Sequence, residues 1–266
     1  MRINQVILLL TQIRNAVMME DAEISIRKQA VRRSGDDLVF SQLRTDTWFG
    51  SLPLALAEAM FRAGHLEEYD AGRTIFLEGA PAEGLHGIID GAVHLERVCI
   101  SGQRVLIHAA SRGAWVGEAA TFSPRPLTLT ARAVKQTRTW HIPSFAVLRL
   151  LDQQPEMLHA LGVLMAKHFS MLLDVICMTL RPSTVSQVAG RLILLDRLRN
   201  ENAKGRSMAE IAITQSDLAD MTGHSRQTIN AVIRRLAREG LVKVGYQRIE
   251  VCDPEALSAR FCPDLE

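Results

Sequence analysis

A continuous helical pattern lies between two prolines of this chain, Pro155 and Pro182. Proline fits the first turn of a helix but breaks its interior, so the pattern predicts one helix from Pro155 to Leu180. At 1.5 Å per residue this helix is roughly 36 Å long, more than a small domain needs for its own core. The chain therefore divides into a part before this helix and a part after it.

Apolar side chains recur along the helix at alternating spacings of four and three, the heptad pattern of a helix that packs against a partner. The pattern predicts a dimer seam, with His168 as a packed or hydrogen-bonded interface residue. The other faces are apolar too, at Leu172, Leu173 and Ile176, which leaves open a helix buried within one subunit. The predicted seam consists of Met157, Leu161, Leu164, His168, Met171, Val175 and Met178.

Before the helix, glycines recur at short intervals from Gly72 to Gly117 and separate short apolar or alternating runs. Many short strands closed by glycine turns predict a β-sandwich or a barrel-like roll. Helices are predicted to begin near Leu54, after Pro53, and at Ser144.

Composition limits the class of protein. A chain of 266 residues suggests two domains on a prior of about 150 residues each, and 47% hydrophobic with 23% charged residues is typical of a soluble protein. The formal net charge is only +2, so a nucleic-acid partner would require a local basic patch.

Cysteine usage and the N-terminus predict a cytoplasmic protein. Cys99, Cys177, Cys252 and Cys262 form no C-x-x-C pair, which argues against a disulfide framework and a thiolate metal site. The apolar run at residues 6–10 is too short to span a membrane. We expect no membrane association.

After Pro182 the most informative stretch is residues 213–236. Thr214 is a good N-cap with Asp217 three positions later, and Gly223 suits the tight corner of a helix-turn-helix. Ser225 caps a second helix, whose buried face follows the spacing i, i+3, i+4, i+7. That face is Ile229, Val232, Ile233 and Leu236.

Arg226, Gln227 and Asn230 lie on the opposite face, where a recognition helix presents side chains to base edges in the major groove. Arg can bridge guanine O6 and N7, and Gln or Asn can pair with adenine. Residues 240–251 predict a two-stranded wing that turns at Gly245-Tyr246. The residues predicted to contact DNA phosphates are Thr214, Ser225, Thr228, Arg234, Arg235, Lys243 and Arg248.

The predicted fold class is α+β: a jelly-roll-like β-roll, a long dimerisation helix and a C-terminal winged helix-turn-helix. The predicted domains are an N-terminal extension, partly mobile, at 1–45, the roll at 46–154, the helix at 155–181 and the DNA-binding domain at 183–266.

From about Trp48 to Leu257 the chain resembles the cyclic-AMP receptor protein / fumarate-nitrate reductase regulator (CRP/FNR) superfamily of bacterial transcription factors. The β-roll phrases are YDAGRTIFLEG at 69–79, IIDGAV at 88–93 and GAWVGE at 113–118. The recognition segment is GHSRQTIN at 223–230. The resemblance implies a cyclic-nucleotide-binding-type effector domain and a homodimer that binds a palindromic promoter site and contacts RNA polymerase.

The resemblance also places an effector pocket. Members that bind cyclic AMP use a Gly-Glu pair, present as Gly117-Glu118, followed by an Arg and a hydroxyl residue. Those later positions fall on Leu127 and Thr128, with Arg125 two residues early, and the adenine-facing pair falls on Leu172 and Leu173. Without its Arg, the cyclic phosphate would be left unpaired at a cost of several kcal/mol, so we expect no response to cyclic AMP.

The sequence also lacks the ligand residues that other sensor types of this family use. No cysteine precedes Cys99, so the clustered N-terminal cysteines of iron–sulfur members are missing, and the eight histidines give no defensible haem pair. We therefore expect no metal and no cofactor, with the effector unknown.

The sequence predicts a DNA-binding regulator with a degenerate effector domain. The alternative is an effector-gated regulator that does bind a cyclic nucleotide or another small ligand in the roll. A nucleophile elbow, a P-loop and a G-x-G-x-x-G after a strand are all missing from the sequence, so we expect no enzyme activity.

Overall fold

The computed structural model describes residues 36–121, 125–202 and 211–263. From Gln42 onward the chain forms one compact unit. Most of the predicted N-terminal extension, residues 1–35, lies outside the described residues, and α1 (Asp36–Arg44) is its described helix.

The first half is a β-roll of two four-stranded antiparallel sheets, as predicted from the glycine-spaced runs. One sheet has the strand order β1-β8-β3-β6 and the other β2-β7-β4-β5. The strands are β1 (His65–Tyr69), β2 (Thr74–Phe76), β3 (Gly84–Asp90), β4 (Ala92–Val98), β5 (Arg104–Ser111), β6 (Trp115–Val116), β7 (Thr130–Ala133) and β8 (Thr137–Pro143).

Four short helices accompany the roll: α2 (Thr47–Ser51), α3 (Leu54–Ala63), α4 (Glu118–Thr121) and α5 (Ser144–Gln153). Aromatic contacts join α2 and α3 to the first sheet. Trp48 and Phe49 pack on Trp115 with ring centroids 5.3 and 5.2 Å apart, and Phe61 stacks on Trp140 at 4.1 Å. Such pairs add about 0.5–1.5 kcal/mol each beyond their buried area.

The long helix α6 (Glu156–Thr179) is 24 residues long and is bounded by Pro155 and Leu180, as predicted. The predicted dimer seam is wrong for most of its members, because Met157, Leu161, Leu164, Met171 and Met178 are buried within the single chain. Met171 packs on Leu194 and Leu198, and Trp48 donates a hydrogen bond to the Ala160 carbonyl at 2.8 Å. The alternative of a face buried in one subunit holds for these side chains.

A different stripe of α6 is exposed. Its residues are also spaced in a heptad-like pattern, but each lies one position after a residue of the predicted seam. Because the helix is apolar on all sides, either face could pack against the rest of the chain. By length and composition α6 could also cross a membrane, a test that core helices of soluble proteins pass as well. The exposed stripe comprises Leu158, Met165, Phe169, Leu172 and Ile176, with Gly162 in line.

The second half consists of α7 (Thr184–Asn202), α8 (Gln215–Thr222), α9 (Arg226–Arg238), β9 (Val242–Gly245), β10 (Arg248–Val251) and α10 (Pro254–Phe261). The inward residues of α9 are the four predicted, Ile229, Val232, Ile233 and Leu236. They join a core with Val188 and Leu192 of α7. The winged helix-turn-helix is thus present, and the α+β fold class is confirmed.

The roll packs directly on this C-terminal core. Leu106 and Ala109 of β5 belong to the same apolar cluster as α7 and α9. Buried polar groups line this junction: Arg191 donates to the Ile107 carbonyl, and His94 Nδ1 lies 3.9 Å from Asp217 Oδ1. Burial lowers the pKa of Arg191 to about 10.

Candidate DNA-binding surface and effector cavity

The helix-turn-helix corner is held by the two caps that the sequence predicts. Thr214 Oγ1 accepts a hydrogen bond from the Asp217 N–H at 3.1 Å, and Asp217 Oδ2 accepts one from the Thr214 N–H at 2.6 Å. Gly223 ends α8 with φ of +70°, a left-handed conformation that favours glycine. Ser225 then caps α9 by accepting from the Thr228 N–H at 3.1 Å.

The structure brings Arg226, Gln227 and Asn230 together on one wall of a groove of about 840 Å³ between α9 and the wing. The predicted phosphate ligands Thr214, Arg234 and Arg248 line the same groove. Polar and cationic side chains thus converge on one concave surface.

Two residues of α8 hold the base-reading candidates and were missed from the sequence. Ser216 Oγ accepts a hydrogen bond from Arg226 Nη2 at 2.5 Å, and Gln215 Oε1 accepts one from Asn230 Nδ2 at 2.7 Å. Their position in the first turn of α8, beside the N-cap Thr214, was the available signal.

Other phosphate candidates lie outside the groove. Ser225 and Thr228 are exposed, but their hydroxyls lie 2.8 Å apart, and Ser225 Oγ also accepts the capping hydrogen bond from the Thr228 N–H. Lys243 is exposed on β9.

Arg235 requires a correction. Nine positions after Arg226 it projects from the opposite side of α9, where its Nε lies 3.1 Å from Glu239 Oε1. Its guanidinium also lies 5.6 Å from the centre of the Phe261 ring. The structure therefore assigns Arg235 to packing against α10 rather than to the groove.

The wing is a tight hairpin in which Gly245 pairs with Arg248. Its turn is Tyr246-Gln247, one position later than predicted, with Gln247 at φ of +53°. Val244 and Tyr246 are exposed on this wing.

A second cavity, of about 440 Å³ and with mostly apolar walls, lies between the roll and α6. It brings together six of the seven predicted effector-pocket residues: Gly117, Glu118, Arg125, Leu127, Thr128 and Leu172. Leu173 does not line it and is exposed, which corrects that assignment. Gly117 has φ of +99°, and a Cβ there would collide with the Gly84 carbonyl.

Glu118 has a protein partner in this cavity. Its Oε1 lies 2.7 Å from Nδ1 of His168, and Glu118 is buried. His168 therefore faces the cavity rather than a partner helix, which corrects its predicted place in the seam. The effector-type glutamate is thus partnered from within the chain.

His108 is a cavity residue that the sequence did not single out. Along β5, buried residues alternate with partly exposed ones, and His108 is one of the buried residues. It lines the cavity, and its Nδ1 has no hydrogen-bond partner among the described residues. Burial first, and then the charges of Arg191, His168 and His94, lower the pKa of His108 to about 3. A period-two pattern over residues 104–111 was the available signal.

Three of the eight histidines lie close together, although they are far apart in the sequence. His65, His86 and His141 lie on three neighbouring strands of one sheet, and His141 pairs with each of the other two in register. Strand register, which is a tertiary property, creates this group.

Comparison with known proteins agrees with the geometry. Residues 66–154 match the model of the cyclic nucleotide-binding domain, and residues 180–260 match that of the Crp-like helix-turn-helix domain. The chain belongs to the CRP/FNR superfamily of transcription regulators. Both characteristic domains of a CRP/FNR regulator are present in the usual order.

Curated relatives include a CRP-like cAMP-activated global transcriptional regulator of Mycobacterium tuberculosis, 24% identical over 82% of this chain and 96% of its own length. The nitrogen fixation regulation protein FixK of Bradyrhizobium diazoefficiens is 24% identical over 82% of this chain and 92% of its own length. Among solved structures, FixK2 from Bradyrhizobium japonicum has a TM-score of 0.64 at 18% identity over 74% of this chain and 96% of its own. This last likeness shows the CRP/FNR fold.

Proposed function

We propose that this CRP/FNR regulator binds a specific palindromic promoter site as a homodimer and acts through RNA polymerase in the cytoplasm. The observation that supports this most directly is the groove in which Arg226, Gln227 and Asn230 stand beside Arg234 and Arg248. Base-reading side chains surrounded by cations are what sequence-specific recognition of duplex DNA requires.

The contacts within α8 and α9 support a pre-organised reading surface. Arg226 and Asn230 are each restrained by a hydrogen bond from α8, at Ser216 and Gln215. A restrained side chain loses less conformational entropy on binding than a free one. DNA would compete for these hydrogen-bonding groups, which makes the polar residues of α8 part of the proposed surface.

The proposed dimer forms through the exposed stripe of α6. Phe169 is 63% exposed and Ile176 53%, unusual values for large apolar side chains on one helix face. Gly162 lies in the same stripe, and a side chain added there would meet open space within the chain. A second α6 packed along the stripe would bury these groups.

The proposed effector domain does not respond to cyclic AMP. Leu127, at the position of the phosphate-binding Arg, is buried in the cavity wall, and Glu118 is already bonded to His168. The volume and apolar walls favour an apolar small molecule instead. Phe169 and Leu172 belong both to the cavity wall and to the exposed stripe, so a bound ligand would touch the proposed dimer face.

A second candidate is a cyclic-nucleotide-gated regulator, and Arg125 is the observation that favours it. Arg125 lines the same cavity as Glu118, so a guanidinium and a carboxylate both border the space that a ribose phosphate would need. In this alternative the nucleotide displaces His168 from Glu118.

Two experiments test these proposals. A DNA selection with the full chain should recover a two-fold symmetric motif, with binding that weakens steeply as salt rises; recovery of no motif above random background contradicts DNA reading. Calorimetric titration with cyclic AMP and cyclic GMP separates the two effector candidates. Micromolar binding of either nucleotide would establish the second candidate and overturn the first.

A further inference from the structure

A row of imidazoles crosses the sheet at the end of the roll. His65 on β1 pairs with His141 on β8, and His141 pairs with His86 on β3. Residues directly opposite one another on neighbouring strands share a face of the sheet. The ring centroids of His65 and His141 are 5.1 Å apart, and the rings of His86 and His141 stack in parallel at 4.3 Å.

A carboxylate stands within this row. Glu67 lies two residues after His65 and therefore on the same face of β1. Its Oε1 lies 2.9 Å from His65 Nε2 and 3.1 Å from His141 Nδ1. The three donor atoms lie within 4.8 Å of one another. In a tetrahedral zinc site with bonds of 2.0–2.1 Å, ligand atoms are about 3.3 Å apart, so small side-chain shifts would bring these atoms around one ion.

Outer partners orient two of the three groups. His141 Nε2 lies 3.1 Å from the Glu83 carbonyl oxygen, which can only accept, so Nε2 carries a proton and Nδ1 is the nitrogen directed at Glu67. The Tyr69 hydroxyl donates to Glu67 Oε2. A metal-binding histidine characteristically donates its other N–H to a carbonyl or a carboxylate in this way.

We propose that His65, Glu67 and His141 form a binding site for a divalent transition metal ion, with zinc or ferrous iron as the ions best matched to two imidazoles and one carboxylate. Three protein ligands leave at least one position for water or a small anion. The ion would join the first strand of the roll to its last strand. Between the site and the effector cavity lies His86, which stacks on His141 and whose ring centroid is 5.9 Å from that of Phe76 in the cavity wall.

The test uses the full chain without an affinity tag, stripped of metal and titrated with Zn²⁺ by calorimetry and with Co²⁺ by visible absorption. One equivalent of Zn²⁺ should bind with micromolar or tighter affinity and raise the melting temperature. His65→Ala, His141→Ala and the nearly isosteric Glu67→Gln should each weaken binding by at least tenfold. His159→Ala, which removes an exposed histidine on α6, is the matched control and should bind like the unchanged protein.

A purely hydrogen-bonded cluster gives a different result. No Zn²⁺ binding in the micromolar range, or unchanged affinity in Glu67→Gln and His65→Ala, overturns the proposal. Circular dichroism establishes that each variant is folded. Should the variants fail to fold, X-ray absorption of the zinc-loaded unchanged protein decides: two imidazoles in the coordination shell support the site, and fewer than two refute it.

Discussion

His168 Nδ1 lies 2.7 Å from Glu118 Oε1, and this contact joins the middle of α6 to the first residue of α4 across the wall of the effector cavity. Glu118 is buried and His168 about three-quarters buried, so the pair is poorly screened by water. It links the helix that carries the proposed dimer face to the roll that encloses the cavity.

The Glu118–His168 pair should contribute measurably to folding. We expect Glu118→Ala and His168→Ala each to lower the free energy of unfolding by about 1–3 kcal/mol, because each change removes the hydrogen bond and leaves the remaining polar group without this partner. A double-mutant cycle from urea unfolding, followed by tryptophan fluorescence, should give a coupling of about 1 kcal/mol. The exposed pair Glu58–Arg62 is the control, with an expected coupling of at most about 0.5 kcal/mol.

The two faces of α6 should respond differently to substitution. Ile176→Glu, on the exposed stripe, should give a folded monomer in sedimentation experiments, because a charge on that face opposes packing of a second helix. Leu161→Ala, on the buried face, should lower the free energy of unfolding by about 2–5 kcal/mol and leave association intact in the folded fraction. A dimer that persists in Ile176→Glu would contradict the proposed interface.

Arginines on the two sides of α9 should affect DNA binding differently. Arg226→Ala should cost about 1–3 kcal/mol and relax the preference at one base of each half-site, whereas Arg234→Ala should weaken binding to all sequences and reduce the salt dependence. Arg235 is paired with Glu239, so Arg235→Ala should leave the base preference and the salt dependence of binding unchanged. Selection and salt titrations of the three variants provide the measurement, and a base-specific effect of Arg235→Ala would reverse the assignment.

Stability should fall in acid because of His108. Its pKa is lowered from 6.5 to about 3 in the folded protein, so below pH 6.5 the unfolded chain binds the proton more readily. The stability that neutral His108 contributes is therefore fully present above pH 6.5 and is lost as the pH falls toward 3. Over this range the free energy of unfolding should change by up to about 1.4 kcal/mol per pH unit. His108→Gln should reduce the slope of unfolding free energy over this window, whereas His159→Gln, on an exposed site, should not.

The sequence was sufficient to predict those features that depend on interactions between residues close together in the chain. Thr214, Gly223 and Ser225 set the ends of α8 and α9, since a cap depends on neighbours three residues away. Pro155 and Pro182 bracket α6 for the same reason. The outer face of α9 also followed from spacing, because its inner face is clearly apolar and its outer face clearly polar.

The choice of buried face on α6 could not be predicted in this way. Leu161 and Ile176 are equally apolar, so the helical period alone predicts two equivalent apolar stripes. Contacts of α6 with Leu194, Leu198 and Trp48 decide which stripe is buried.

The prediction that Arg235 contacts a DNA phosphate was wrong for a related reason, because its contacts with Glu239 and Phe261 depend on where α10 packs.

The order of roll, long helix and winged helix-turn-helix could be read from the sequence, because turns, caps and apolar periods act over a few residues. Tertiary structure alone decided that His65, Glu67 and His141 meet, since residues more than 70 positions apart become neighbours only through the pairing register of β1 and β8. It likewise decided that His168 turns to Glu118 rather than to a partner helix. Contacts distant in sequence depend on how elements pack, and packing is settled by the whole core at once.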